Sequence, residues 1–84
     1  MELHDLLDQV NDPQSFLQFA NALMADRAET PPSGEDWQNT TIEGFLESAI
    51  AWAQDSDFGA RQGISPANPW HQFAVFLYCG KIYE

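Results

Sequence analysis

Eighty-four residues lie near the lower limit at which one apolar core holds a domain together without disulfides or a metal, so residues 1–84 are expected to form a single domain. Three Trp, six Phe and a hydrophobic share of 44% give more apolar surface than a disordered chain carries, so the chain folds and aromatics supply much of its core. Thirteen acidic residues against three basic ones give a formal net charge of -10, which opposes direct binding to nucleic acid and speeds encounter with a basic protein.

Leu3, Leu6, Leu7 and Val10 recur at i, i+3, i+4 and i+7, the stripe of a short amphipathic helix over Glu2 to Val10. Asn11-Asp12-Pro13 follows, with Asp12 as a capping side chain and Pro13 at the first helical position, where its missing N–H costs nothing. The second helix runs to about Ala28 and carries Phe16, Phe19, Ala20, Leu23 and Met24 on one face. Arg27 falls on the same stripe in the last turn, where its stem would cover the core edge and its guanidinium meet helix-end carbonyls or a carboxylate.

Glu29 to Asp36 combines two prolines, a glycine and three acids, the composition of a loop, and Trp37 is expected to fold back from its end onto the core. Thr40-Thr41-Ile42-Glu43 matches a capping box, with Thr40 as the cap of a long third helix. Ile42, Phe45, Leu46, Ala49 and Ala53 then make one face, flanked by Ile50 and Trp52, while Glu43, Glu47 and Asp55 lie opposite. Asp55 to Asn68, with Gly59, Gly63 and Pro66, reads as a second long loop.

Asn68-Pro69 repeats the capping device of Asp12-Pro13 and opens a fourth helix to about Cys79. Trp70, Phe73, Ala74 and Leu77 form its stripe, and Val75, Phe76 and Tyr78 add apolar surface elsewhere, the mark of a helix packed on several sides. Gly80 is expected to end it in the left-handed conformation, leaving residues 81–84 as a tail. No strand-period segment or internal repeat stands out. The expected fold is all-α, a single small domain of about four helices around an aromatic-rich core, with Phe45, Trp70 and Phe73 in one buried cluster.

Chemistry is sparse. His4 and His71 are the only imidazoles and Cys79, inside an apolar run, the only thiol, so neither a zinc ligand set nor an intrachain disulfide is available. No Glu-x-x-His pair points to a di-metal bundle, no serine stands in a strand-to-helix elbow, and Gly59 to Gly63 lacks the lysine and hydroxyl of a phosphate loop. The chain is therefore expected to be non-enzymatic, with no catalytic, metal or cofactor-binding residues and no cofactor. The lone thiol fits a reducing cytoplasm, the start Met1-Glu2-Leu3-His4-Asp5 has no export signal, and no run approaches the ~20 apolar residues of a membrane span. The expectation is a soluble cytoplasmic protein with no membrane contact.

Clustered acid is the one positive feature. Glu35 and Asp36 adjoin Trp37, Glu43 and Glu47 share a helix face, and Asp55 and Asp57 open the second loop. As a docking surface these seven residues would meet a basic protein partner, with Trp37 as an anchor in the acidic rim. As a solvated face the acids would serve solubility alone.

In Trp37-Gln38-Asn39-Thr40-Thr41-Ile42-Glu43-Gly44-Phe45-Leu46-Glu47, the following Ala51-Trp52, Trp70-His71-Gln72-Phe73-Ala74 and Gly80-Lys81-Ile82-Tyr83-Glu84, the chain resembles a bacterial family of small acidic proteins classed as a domain of unknown function. The resemblance covers most of the chain and its motifs are specific as a set. It implies a stand-alone cytoplasmic domain and carries over no activity or catalytic residue. The function expected is a non-enzymatic protein-binding module, such as an antitoxin or immunity-like inhibitor covering a basic partner. The alternatives are a DNA-mimic inhibitor of a nucleic-acid-binding complex, of the phage anti-defence type, and an enzyme whose pocket leaves no mark in the sequence.

Overall fold

The computed structural model describes residues 2–29, 37–64 and 67–83, and every regular element within them is helical. In chain order these are α1 (Leu3–Asp8), α2 (Pro13–Glu29), α3 (Ile42–Ser56), a single 3₁₀ turn (Ala60–Gln62) and α4 (Pro69–Ile82). The helical class and the four α-helices follow the expectation from periodicity. Among the described residues no helix is long and apolar enough to cross a membrane.

Two starts follow from local chemistry. Asp12 Oδ1 accepts the Ser15 N–H at 2.7 Å while Ser15 Oγ accepts the Asp12 N–H at 3.1 Å, a reciprocal cap that opens α2. The bond from the Ser15 amide holds the Asp12 carboxyl below the usual carboxylate range. Asn68 Oδ1 accepts the His71 N–H at 3.2 Å with Pro69 at the first helical position, and Asn68 Nδ2 donates to the Val10 carbonyl at 2.9 Å. One side chain thus caps α4 and ties the segment after α1 to it.

The start of α3 is one residue later than the capping-box pattern implies. Thr41, not Thr40, is the cap: it has extended backbone, and its Oγ1 accepts the Gly44 N–H at 3.0 Å. The register is set from outside the helix, because Asn39 Nδ2 donates to the Gly80 and Tyr83 carbonyls and Gln38 N–H to the Lys81 carbonyl, pinning the chain just upstream to the end of α4. Glu43 then lies in the first turn, where the helix dipole favours a carboxylate.

α3 ends in consecutive left-handed residues, Asp57 at φ 53° and Phe58 at φ 54°. Buried Ser56 stabilises this turn by donating to the Trp52 carbonyl at 2.6 Å and accepting the Gly59 N–H at 2.9 Å. The second long loop is therefore shorter than its composition implies, since it holds the 3₁₀ turn that Gln62 Oε1 fastens to the Trp52 indole N–H at 2.9 Å. α4 in turn runs past Gly80, which is helical and buried, to Ile82. Gly80 is not the terminator expected of it: Phe45 presses so close that a Cβ there would lie 2.7 Å from the ring.

α4 is the central element, packed most extensively on α3 and also on α2 and α1, while α1 lies against α2 as well. The core joins Leu7, Val10, Phe19, Leu23, Trp37, Trp52, Ala74, Val75 and Cys79, with Phe16, Phe45, Trp70, Phe76 and Tyr78 partly buried against it. The aromatic contribution is real but looser than expected. Phe45 and Trp70 are half-buried, whereas Phe73 is 46% exposed, edge-on to Trp70 at 6.1 Å, so the three do not share a buried cluster. The small residues Ala74, Val75, Cys79 and Gly80 take the buried positions of α4, because neighbours approach closely there and the large rings are displaced to the edges.

The face of α3 is also rotated from the expected one. Ser48, Ala49, Trp52 and Ser56 are buried, while Ile42, Leu46 and Ile50 are exposed. Turning Trp52 fully inward removes the largest apolar side chain of the helix from water, and burial of that ring outweighs burial of the aliphatic stripe beside it.

Candidate functional site

Reactive groups are dispersed. Among the described residues no three His, Cys, Asp or Glu side chains stand together where a metal ion would fit. His4 is exposed beside Glu2 and Asp5, at 3.7 and 3.5 Å. Cys79 is buried, and burial pushes its thiol up to about 11, so at neutral pH it is a protonated core side chain. A polar depression of about 540 Å³ is lined in part by His4 of α1, Asp26 of α2, and Tyr78 and Lys81 of α4, and two of its charged residues pair with each other, Lys81 Nζ lying 2.8 Å from Asp26 Oδ2.

That pair belongs to a network around Trp37. The indole Nε1 donates to the same Asp26 Oδ2 at 2.8 Å, and the ring stacks on Phe45 at 6.2 Å. The Lys81 ammonium and the Arg27 guanidinium lie 5.5 and 5.8 Å from the ring centroid, within cation–π range. Arg27 therefore faces an aromatic ring rather than helix-end carbonyls alone. The hydrogen bond from Lys81 holds the Asp26 carboxyl below the usual range, helped by that from Trp37 and opposed by partial burial. Trp37 is 7% exposed, folded onto the core as expected.

The other candidate residues separate. Glu35 and Asp36 lie outside the described residues. Glu43 and Glu47, one turn apart, are exposed on a single side of α3. Asp55 lies roughly 120° further round that helix, at about 100° per residue from Glu43. There it accepts the Tyr83 hydroxyl at 2.7 Å, a bond that raises the tyrosine's pKa. Asp57 is exposed in the left-handed turn after α3. No single acidic face is formed by the described members of the set.

What the structure adds is apolar. α2 and α3 both rest on α4, yet no Cα of one comes within 8 Å of the other, and a groove of about 430 Å³ remains between them. Ala20, Leu23, Met24 and Arg27 of α2 form one wall, Ile42, Phe45 and Leu46 of α3 the other, and Trp37, Asn39, Thr40 and Thr41 close one end. Ile42 is 76% exposed, Met24 65% and Leu17 61%. Leu17 continues the α2 stripe two turns before Met24, and exposed Ile50 continues that of α3 one turn after Leu46. Glu43 borders the α3 stripe on its solvent side as the i,i+3 neighbour of Leu46, whereas Glu47 lies further round the helix in a separate depression with Gly44, Ser48 and Ala51.

Met24, Ile42, Leu46 and Ile50 were legible as apolar residues on amphipathic helices. Their exposure was not, because it depends on two helices failing to meet. No curated protein and no solved structure matches the chain. A family model does, described as a family of unknown function (DUF7660), and it matches residues 12–84, from the cap of α2 through α4 and the groove. With that match spanning nearly its whole length, the chain belongs to DUF7660.

Proposed function

We propose that this chain is a non-enzymatic protein-binding module that docks a basic partner on the groove between α2 and α3. The observation that carries this reading is the groove between α2 and α3 that no described helix covers, with exposed Met24, Ile42 and Leu46 in its lining. Scattered single apolar residues are ordinary on a surface, whereas a contiguous set rimmed by charge marks an interaction site. Glu43 beside the groove, with a net charge of -10 behind it, selects a basic partner and steers its approach. An antitoxin or immunity-like inhibitor in the cytoplasm is the biological form this would take, a setting supported by the single buried thiol.

The DNA-mimic alternative calls for carboxylates in spaced rows. Glu43 and Glu47 share one side of α3 but Asp55 is turned away toward Tyr83, which favours the groove over that reading.

The test is association kinetics with the protein captured from native cells. Replacing Glu43 and Glu47 together by Gln should slow association and flatten its fall as salt rises through ~0.15 M, where screening acts over about 8 Å, with the fold intact. A salt-independent rate, unchanged in the double variant, would leave the acids with solubility alone.

A further inference from the structure

We infer that the depression holding Glu47 binds a guanidinium group, the side chain of an arginine carried by a partner protein. It shares only Asn39 with the apolar groove, so the inference goes beyond the groove reading and does not depend on it. A space of about 550 Å³ is lined by Gln38, Asn39, Gly44, Glu47, Ser48 and Ala51. Gly44, Ser48 and Ala51 stand at i, i+4 and i+7 of α3, a strip of small side chains that leaves room above the helix.

The polar groups around that strip have unused hydrogen-bonding capacity. Ser48 is 7% exposed, yet its hydroxyl has no hydrogen-bond partner among the described residues. A helical serine can return its hydroxyl to the carbonyl four residues back, as Ser56 does to Trp52, and Ser48 does not. Asn39 is oriented by its neighbours: Nδ2 donates to the Gly80 and Tyr83 carbonyls at 3.0 and 2.9 Å, and because carbonyls only accept, the amide cannot be reversed. Its Oδ1 therefore faces the other way, 3.7 Å from where a Cβ on Gly44 would stand, with no donor on it among the described residues. Glu47 is exposed and pairs with no cation among the described residues.

These groups select the ligand by its chemistry. Asn39 Oδ1, Ser48 Oγ and the Glu47 carboxylate all accept hydrogen bonds and only the last is charged, so their complement is a monocation rich in donors. A guanidinium is planar, permanently charged and carries five N–H donors, enough to reach acceptors on three side chains. An ammonium offers three donors on a compact, strongly hydrated centre and fits this set less well.

The test is an NMR titration of the isotope-labelled full chain with N-acetyl-arginine methylamide, the matching lysine compound and the uncharged citrulline compound. The arginine probe should shift the Gly44, Ser48 and Ala51 amides and the Asn39 side-chain amide saturably, and bind at least about fivefold more tightly than the other two. Glu47→Gln and Ser48→Ala should each weaken it by about fivefold. Ser48→Ala should also keep or raise the thermal midpoint, since it removes a hydroxyl with no internal partner. No saturable shift below ~0.1 M probe, equal binding of the three compounds, shifts spread over Asp5, Asp8 and the other exposed acids, or indifference to both substitutions would overturn the inference. A lower midpoint for Ser48→Ala would overturn it by showing the hydroxyl bonded within the fold. Free arginine binding more tightly than the capped probe would overturn it in favour of a small metabolite. The groove reading fails separately, if the protein captured from native cells binds wild type, Ile42→Ser and Met24→Ser alike.

Discussion

Gly80 of α4 packs against the ring of Phe45 from α3, so near that a Cβ at position 80 would stand 2.7 Å from one ring carbon and 2.8 Å from two others. Alanine is favoured over glycine inside a helix by about 1 kcal/mol, which argues for a gain from Gly80→Ala. Overpacking against a ring already stacked on Trp37 costs about 1–3 kcal/mol and should win, so the variant is expected to be less stable. Urea denaturation checks the sign; a higher midpoint would mean that Phe45 yields freely.

Thr41→Ala should lower stability by about 1 kcal/mol, since it removes the acceptor of the Gly44 N–H, while Thr40→Ala should stay within about 0.5 kcal/mol. Thermal unfolding of the pair distinguishes them. Equal losses would place the cap at both positions.

Asp26 predicts an acid limb. Its folded pKa lies below the unfolded value of about 3.9, so the stabilisation is fully present above that value and is lost as pH falls through the lower folded one. Asp26→Asn should therefore be less stable than wild type at pH 7 by about 1–2 kcal/mol, the worth of hydrogen bonds to a charged group, with the gap closing below about pH 4. A gap constant from pH 7 to 2 would show that the Lys81 and Trp37 bonds do not depend on the carboxylate charge.

Cys79, with its thiol at about 11, should react with a disulfide reagent only through opening of the fold. At pH 8 the native thiolate fraction is about one in a thousand, against roughly a quarter for an unperturbed thiol near 8.5. The rate should match that of unfolding or local opening, and rapid labelling of the native chain would contradict the burial of this side chain.

The legible parts of the fold were those written in a few consecutive residues. Asp12-Pro13 and Asn68-Pro69 announce two helix starts because a cap needs only a side chain and the amide three positions on. The start of α3 slipped by one because Asn39, bonded to Gly80 and Tyr83 more than forty positions away, sets its register. The buried face of α3 was ambiguous because Ile42-Leu46-Ile50 and Phe45-Ala49-Trp52 are both apolar stripes, and only packing on α4 chooses Trp52. Within the candidate site, Glu43 and Glu47 were legible as exposed acids. The groove between α2 and α3 was not, since it arises from their separation.

The most direct measurement of the docking account is backbone NMR of the labelled chain titrated with the protein captured from native cells. Shift changes and slowed amide exchange should concentrate on Met24, Ile42 and Leu46 of the groove lining, with Glu43 at its border. Asp55, Asp57 and Tyr83, on the far side of α3 or beyond its end, should stay unperturbed. Perturbations confined to Asp55, Asp57 and Tyr83, with the groove unchanged, would contradict it.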